Sequence, residues 1–162
     1  MRTPKPRLRG ARASAAPADT DHAMSRLYAQ NYRPLVRLAA LLVGDPAVAE
    51  TIVQDAFVDL HCAWPGRSGP GAALAQLRRA VIERSRLVPT ATATATVAAE
   101  PSAFVAALRR LPTRQREVLV LHYFADLTEA QIAAATGIDP ATVRSHIALA
   151  FSLLRAELPA VA

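Results

Sequence analysis

Residues 126–155, DLTEAQIAAATGIDPATVRSHIALAFSLLR, place a helix start, a helix stop and a second helix start in close succession. Thr128 can cap a helix, with Gln131 three residues on to answer it, which is the capping-box spacing. Ile132 and Ala133 sit on that first helix and must face inward. Gly137 falls where the chain needs a left-handed residue, a conformation that glycine adopts cheaply. Asp139 then caps a second helix, and Pro140 occupies its first turn, where a missing N–H costs nothing. Val143, Ile147, Ala150, Phe151, Leu154 and Leu158 follow at helical spacing as the inward face. Two helices joined by a tight glycine turn form a helix-turn-helix, whose second helix can lie in a DNA major groove. An ordinary helical hairpin is the competing reading.

Charge qualifies the DNA reading. The chain is 162 residues long with net charge +6, and its 19 cations are arginine apart from Lys5. Arginine suits bidentate phosphate contacts, although a GC-rich coding bias would produce the same preference. Residues 1–22 carry five cations against two acids, residues 23–87 eight against five, and residues 88–162 six against six. The half with the helix-turn-helix is therefore neutral. Phosphate neutralisation supplies most non-specific DNA affinity, so this half should bind DNA weakly alone and need a partner.

The remaining chain reads as all-α, in two small helical domains joined by a flexible linker, the second containing the helix-turn-helix. The expected boundaries are a disordered basic tail at 1–22, a helical domain at 23–87, a linker at 88–100 and the helix-turn-helix domain at 101–162. Met24 is a candidate true start. Leu27, Leu35, Leu38, Leu41 and Leu42 form an apolar stripe, interrupted by Pro34, which should begin a new helix or kink one. Gly44 stops that helix, and Asp45-Pro46 starts the next with the device seen at 139–140. There Val48, Ile52, Val53, Ala56, Phe57 and Leu60 point inward, while Glu50, Gln54, Asp55 and Asp59 point outward. PGRSGPG (65–71) is a loop. A third helix, roughly 72–87, carries Arg78, Arg79, Arg84 and Arg86. VPTATATATVAAEP (88–101) lacks large apolar side chains and reads as the linker, followed by helices at 101–111 and 113–124.

Several classes of function are disfavoured. His22, His61, His122 and His146 are scattered, Cys62 has no companion at metal-ligand spacing, and no phosphate-binding glycine loop occurs. The chain is therefore expected to have no enzymatic activity, catalytic residues, metal, cofactor or small-molecule substrate. The sole cysteine suits a reducing compartment, and no run approaches the roughly 20 apolar residues of a membrane span. A cytoplasmic protein without membrane contact is the expectation.

Two runs together resemble the extracytoplasmic-function sigma factors, small sigma-70-family initiation subunits of bacterial RNA polymerase. They are AVAETIVQDAFVDLHCAW (47–64) and LRRLPTRQREVLVLHYFADLTEAQIAAATGIDPATVRSHI, and the resemblance covers about 24–87 and 101–158. It implies a sigma region 2-like first domain that docks on polymerase and reads the minus-10 promoter element, and a region 4-like second domain whose recognition helix reads the minus-35 element. Core RNA polymerase and promoter DNA are the implied partners, with an anti-sigma factor as a further candidate.

The residue readings fit this at several points. Glu50, Gln54, Asp55 and Asp59, with Phe57 among them, form the expected polymerase-docking set, the charged members lying about one turn apart; an ordinary solvated face is the alternative. Trp64, Arg67, Arg78, Arg79, Arg84 and Arg86 form the expected minus-10 set. An exposed aromatic amid arginines holds unstacked bases, although Trp64 would serve equally to close the core. Thr142, Arg144, Ser145 and His146 begin the recognition helix, where base edges are reached, and Arg144 suits a bidentate guanine contact. Arg114 and Arg116 start the preceding helix and could grip phosphate, unless they are solvent-facing polarity.

The sequence also departs from the family. Leu149 and Leu153 form a second apolar stripe where phosphate-binding cations are usual. Glu83 stands near a position where the family tends to have Asn, and VPTATATAT replaces a basic continuation. An exposed leucine pair suggests a partner surface, for a regulator such as an anti-sigma factor or for the first domain itself. Two alternatives therefore stand beside a promoter-specificity subunit. One is a degenerate sigma-like protein that binds polymerase or a regulator without initiating. The other is a LuxR-type regulator, since TVRSHI resembles that recognition helix, although such a protein has no need of the 47–60 acidic face.

Overall fold

The computed structural model describes residues 17–63, 69–88 and 102–158. Among them are seven helices and no strand: α1 (Pro17–Val43), α2 (Pro46–Cys62), α3 (Pro70–Leu87), α4 (Ala103–Arg110), α5 (Thr113–Tyr123), α6 (Glu129–Thr136) and α7 (Pro140–Glu157). The first three pack mutually as a bundle, and α7 packs across α4, α5 and α6.

Local chemistry sets the helix boundaries. Gly44 ends α1 at φ +84°, the left-handed conformation expected at a helix C-terminus. Asp45 then caps α2, its Oδ1 accepting from the amides of Ala47 and Val48 at 2.8 and 3.2 Å, with Pro46 at the first position. The core face of α2 is Ala49, Ile52, Val53, Ala56, Phe57 and Leu60. Val48, expected there, is half-buried.

Two expectations for α1 need correction. Helix begins at Pro17, inside the segment read as a tail to residue 22. Pro34 also lies inside this helix and does not begin a new one. Leu27 lies before the proline and Leu35, Leu38, Ala39 and Leu42 after it, all buried against the same core, so packing on both sides outweighs the local break.

The helix-turn-helix forms as read. Thr128 Oγ1 accepts from the amide of Gln131 at 3.3 Å, and Gln131 Oε1 accepts from the amide of Thr128 at 2.9 Å, completing the capping box. Gly137 takes φ +76°, and Asp139 Oδ1 accepts from the amide of Thr142 at 2.9 Å to start α7. Ile132 and Val143 are fully buried and lock the two helices together.

The two halves pack on one another, α5 against α1 and α6 against α3, through one continuous apolar cluster. In α5 every residue from Arg116 to Leu121 is buried, so this helix has almost no solvated face and occupies the centre. Val88 packs against the same core, while the linker expected at 88–100 otherwise lies outside the described residues.

Candidate nucleic-acid interface

The first turns of α7 present the expected base-reading residues unequally. Arg144 extends furthest, its side chain 70 % exposed, and its guanidinium meets the carboxylate of Glu129 on α6 at 2.8 Å. Ser145 is exposed, its hydroxyl donating back to the carbonyl of Ala141 at 3.1 Å. Thr142 is half-buried and serves the cap: its amide and its hydroxyl, at 2.9 and 2.5 Å, both donate to the Asp139 carboxylate. That accounts for Asp139 titrating below the ordinary aspartate value, the Thr142 hydroxyl being the largest cause and its amide the next. His146 is half-buried.

Beyond this point α7 turns apolar. Leu149 and Leu153 are 51 % and 42 % exposed, so the described residues of the first half do not cover them. Phe151, assigned from spacing to the inward face, is also exposed, and its ring meets the exposed Tyr123 edge-on at 5.1 Å. The inward face is narrower than the sequence suggests, with only Val143, Ala150 and Leu154 buried and Ile147 half-buried.

Arg114 and Arg116 differ sharply. Arg114 is exposed and accessible to phosphate, with one contact at 3.2 Å to Glu117. Arg116 is only 6 % exposed, and its Nη1 donates at 3.1 Å to the carbonyl of Arg109 near the end of α4. It satisfies a helix C-terminal carbonyl and is not a phosphate ligand. Burial, with Arg109 close by, lowers its pKa, but a guanidinium stays charged even so.

On α2, Glu50, Gln54, Asp55 and Asp59 are exposed as expected, with the apolar Val58 among them. Asp59 accepts from Arg84 Nη2 at 2.5 Å, and Gln54 Nε2 donates to the Tyr32 hydroxyl at 3.3 Å. Phe57 cannot join the docking set. It is buried, with its ring edge-on to Tyr28 at 5.0 Å.

The arginines assigned to minus-10 reading do not form one free surface. Arg79 pairs with Glu83 at 2.9 Å, Arg84 with Asp59, and Arg78 is half-buried, its pKa lowered by desolvation. Arg78 and Arg79 line a groove of about 440 Å³ shared with Gln131, Ala134 and Ala135 of α6. Arg86 points inward to the buried Glu117 and to the carbonyl of Thr136, and in this arrangement it is a bridge between the halves and not a DNA ligand. Trp64 and Arg67 lie outside the described residues.

Glu117, Arg109 and Glu129 hold this geometry, and sequence reasoning did not single them out. Glu117 carried one signal: a charged residue at the head of the apolar run Val118–Leu121, one turn before Val120 and Leu121. Among the described residues no group of three His, Cys, Asp or Glu could hold a metal ion, and no helix is long and apolar enough to cross a membrane.

Comparison with known proteins agrees with this architecture. The family model "Sigma-70, region 4" matches residues 102–154, from the start of α4 to near the end of α7. The RNA polymerase sigma-E factor of Streptomyces avermitilis is 31 % identical over 140 residues, covering 76 % of this chain and 78 % of its own. That of Streptomyces coelicolor is 30 % identical over 142 residues, covering 78 % and 80 %. A solved structure of CnrH in complex with the cytosolic domain of CnrY superposes with TM-score 0.71 at 23 % identity, over 88 % of this chain and 91 % of that one, and so shares the fold. The chain is thus a three-helix bundle paired with a capped helix-turn-helix, and its second half matches region 4 of the sigma-70 proteins. The chain belongs to the extracytoplasmic-function group of the sigma-70 family of RNA polymerase sigma factors.

Proposed function

We propose that this chain gives core RNA polymerase its promoter specificity through two domains, residues 23–87 acting at the minus-10 element and residues 101–162 at the minus-35 element. The observation that carries the reading is Arg144, held outward from the first turns of a correctly capped recognition helix. Ser145 stands beside it, and Arg114 offers a phosphate contact from α5. Glu50, Gln54 and Asp55 supply an acidic and polar face for docking on polymerase, with Asp59 reaching it once Arg84 is released. The exposed apolar stripe of Leu149 and Leu153 supports a regulator such as an anti-sigma factor as a third partner. The polymerase performs the phosphodiester chemistry in the cytoplasm, and this chain contributes no active site.

Run-off transcription from the chain's own upstream region, with core polymerase and purified full-length protein, tests the proposal. Transcripts that depend on the protein and fall with Arg144→Ala support it. Co-purification with polymerase but no transcript would favour a sigma-like protein that binds without initiating. Failure to bind polymerase would overturn both.

A further inference from the structure

Resting on Arg144 as the base-reading residue, we propose that Glu129 is its positioning residue. It clamps one edge of the guanidinium, so that only the other edge can read the DNA, and it keeps the side chain off backbone phosphate. Glu129 is the first residue of α6, immediately after the Thr128 cap. Its Oε2 accepts from Arg144 Nη2 at 2.8 Å, and both carboxylate oxygens lie 3.2 Å from Arg144 Nε. The clamp therefore occupies the Nε/Nη2 side. Among the described residues nothing accepts from Nη1, so the terminal Nη1/Nη2 edge keeps two roughly parallel N–H bonds, the fork that fits guanine O6 and N7.

The helices do not need this pair to stay together. Ile132 and Val143 are fully buried between them, and two side-chain caps fix their starts. Exposed ion pairs contribute little to stability. What the pair does fix is a long, rotamer-rich side chain, held in one orientation before DNA arrives. The carboxylate also places a negative charge beside Arg144, and a phosphate approaching from that side is repelled, whereas a guanine edge is not. Mutual hydrogen bonding holds Glu129 ionised, its pKa lowered first by that bond and then by the Arg144 charge. Removing the carboxylate should thus do two opposite things at once. Base discrimination falls, because the guanidinium wanders, and non-specific affinity rises, because Arg144 becomes an ordinary phosphate ligand.

The test uses holoenzyme, reconstituted from core polymerase and the full chain, selecting from duplexes randomised across the minus-35 region. The native chain, Glu129→Gln, Arg144→Ala and the double variant are compared. The expected result is a guanine preference at one position that Arg144→Ala abolishes and Glu129→Gln lowers about fivefold to tenfold. Glu129→Gln also steepens the salt dependence of non-specific binding by about one unit of log–log slope, and it has no further effect on base preference once Arg144 is absent. If Glu129→Gln leaves the preference intact while Arg144→Ala abolishes it, the clamp is wrong and the reading of Arg144 stands. If Arg144→Ala leaves it intact, Arg144 does not read the base and the clamp falls with it.

Discussion

Nη2 of Arg86 stands 2.6 Å from Oε1 of Glu117, and Nε of the same guanidinium 3.1 Å from that oxygen, tying the end of α3 to the middle of α5 across 31 residues of sequence. The carboxylate is 3 % exposed, and its other oxygen accepts from Arg114 at 3.2 Å. A third bond from Arg86, to the carbonyl of Thr136 at 3.2 Å, reaches the last turn of α6. One side chain thus fastens the first half of the molecule to two helices of the second.

Removing one partner of a buried pair leaves an uncompensated charge. Arg86→Ala is therefore expected to cost about 2–4 kcal/mol, lowering Tm by roughly 5–10 °C for a chain of this size. Arg86→Met with Glu117→Leu should recover most of that loss, since an apolar pair of similar volume needs no compensation. Thermal melts of the two variants check this. A single variant that melts like the native chain would mean that Arg114 alone satisfies Glu117.

The two left-handed glycines should respond differently to alanine. At Gly137 nothing lies within 4 Å of a new Cβ, so the cost is that of the φ +76° backbone alone, about 1–2 kcal/mol. At Gly44 the new Cβ would stand 3.2 Å from Arg109 Nε, and the Gly44 carbonyl accepts from Arg109 Nη2 at 2.5 Å. Gly44→Ala is expected to cost about 1 kcal/mol more than Gly137→Ala, the worth of a disturbed hydrogen bond to a charged group. Denaturant midpoints give the ranking, and equal losses would show that Arg109 moves aside freely.

These positions also show what could be read from the sequence. The caps at Asp45, Thr128 and Asp139 and the turns at Gly44 and Gly137 are local devices, and each forms where the chain spells it. Tertiary effects were hidden. Pro34 could begin a new helix or kink one, and buried leucines on both sides carry α1 through it without a new start. Phe151 fits the inward spacing, yet it lies at the edge of the buried face of α7 and stays exposed, its ring against Tyr123. Arg86 and Arg116 look like their exposed neighbours Arg79 and Arg114, and only partners far from their own turns, Glu117 and the Thr136 carbonyl for Arg86 and the Arg109 carbonyl for Arg116, turn them inward. A sequence read helix by helix carries no term for a contact between residues 31 apart.

Acid should loosen the helix-turn-helix at two named groups. Asp139 and Glu129 both have folded pKa values below their ordinary ones, Asp139 chiefly through the Thr142 hydroxyl and Glu129 chiefly through the Arg144 side chain. Each therefore contributes stability that is present above the unfolded carboxylate value and is lost as pH falls through the lower folded value. Carboxyl NMR titration should find both groups below reference peptides, with the Thr142 amide shift following Asp139. An Asp139 that titrates at the peptide value would mean that its carboxylate does not hold the cap in solution.

The apolar stripe of α7 decides how strongly this helix can hold DNA. Leu149 lies one turn beyond Ser145, and Leu153 one turn further, so both continue the face on which Ser145 is exposed. If that face lies along the groove, Leu149→Arg with Leu153→Arg adds two cations within reach of phosphate. Holoenzyme binding to promoter-length duplex should then tighten at low salt, and its log–log salt slope should steepen by about 1–2 units. Neither leucine is fully buried, so the fold should survive the change, and circular dichroism would confirm it. An unchanged slope in a folded double variant would place the stripe away from the DNA. The leucines would then be a surface kept apolar for a protein partner, and α7 would rely on Arg144 and its neighbours alone.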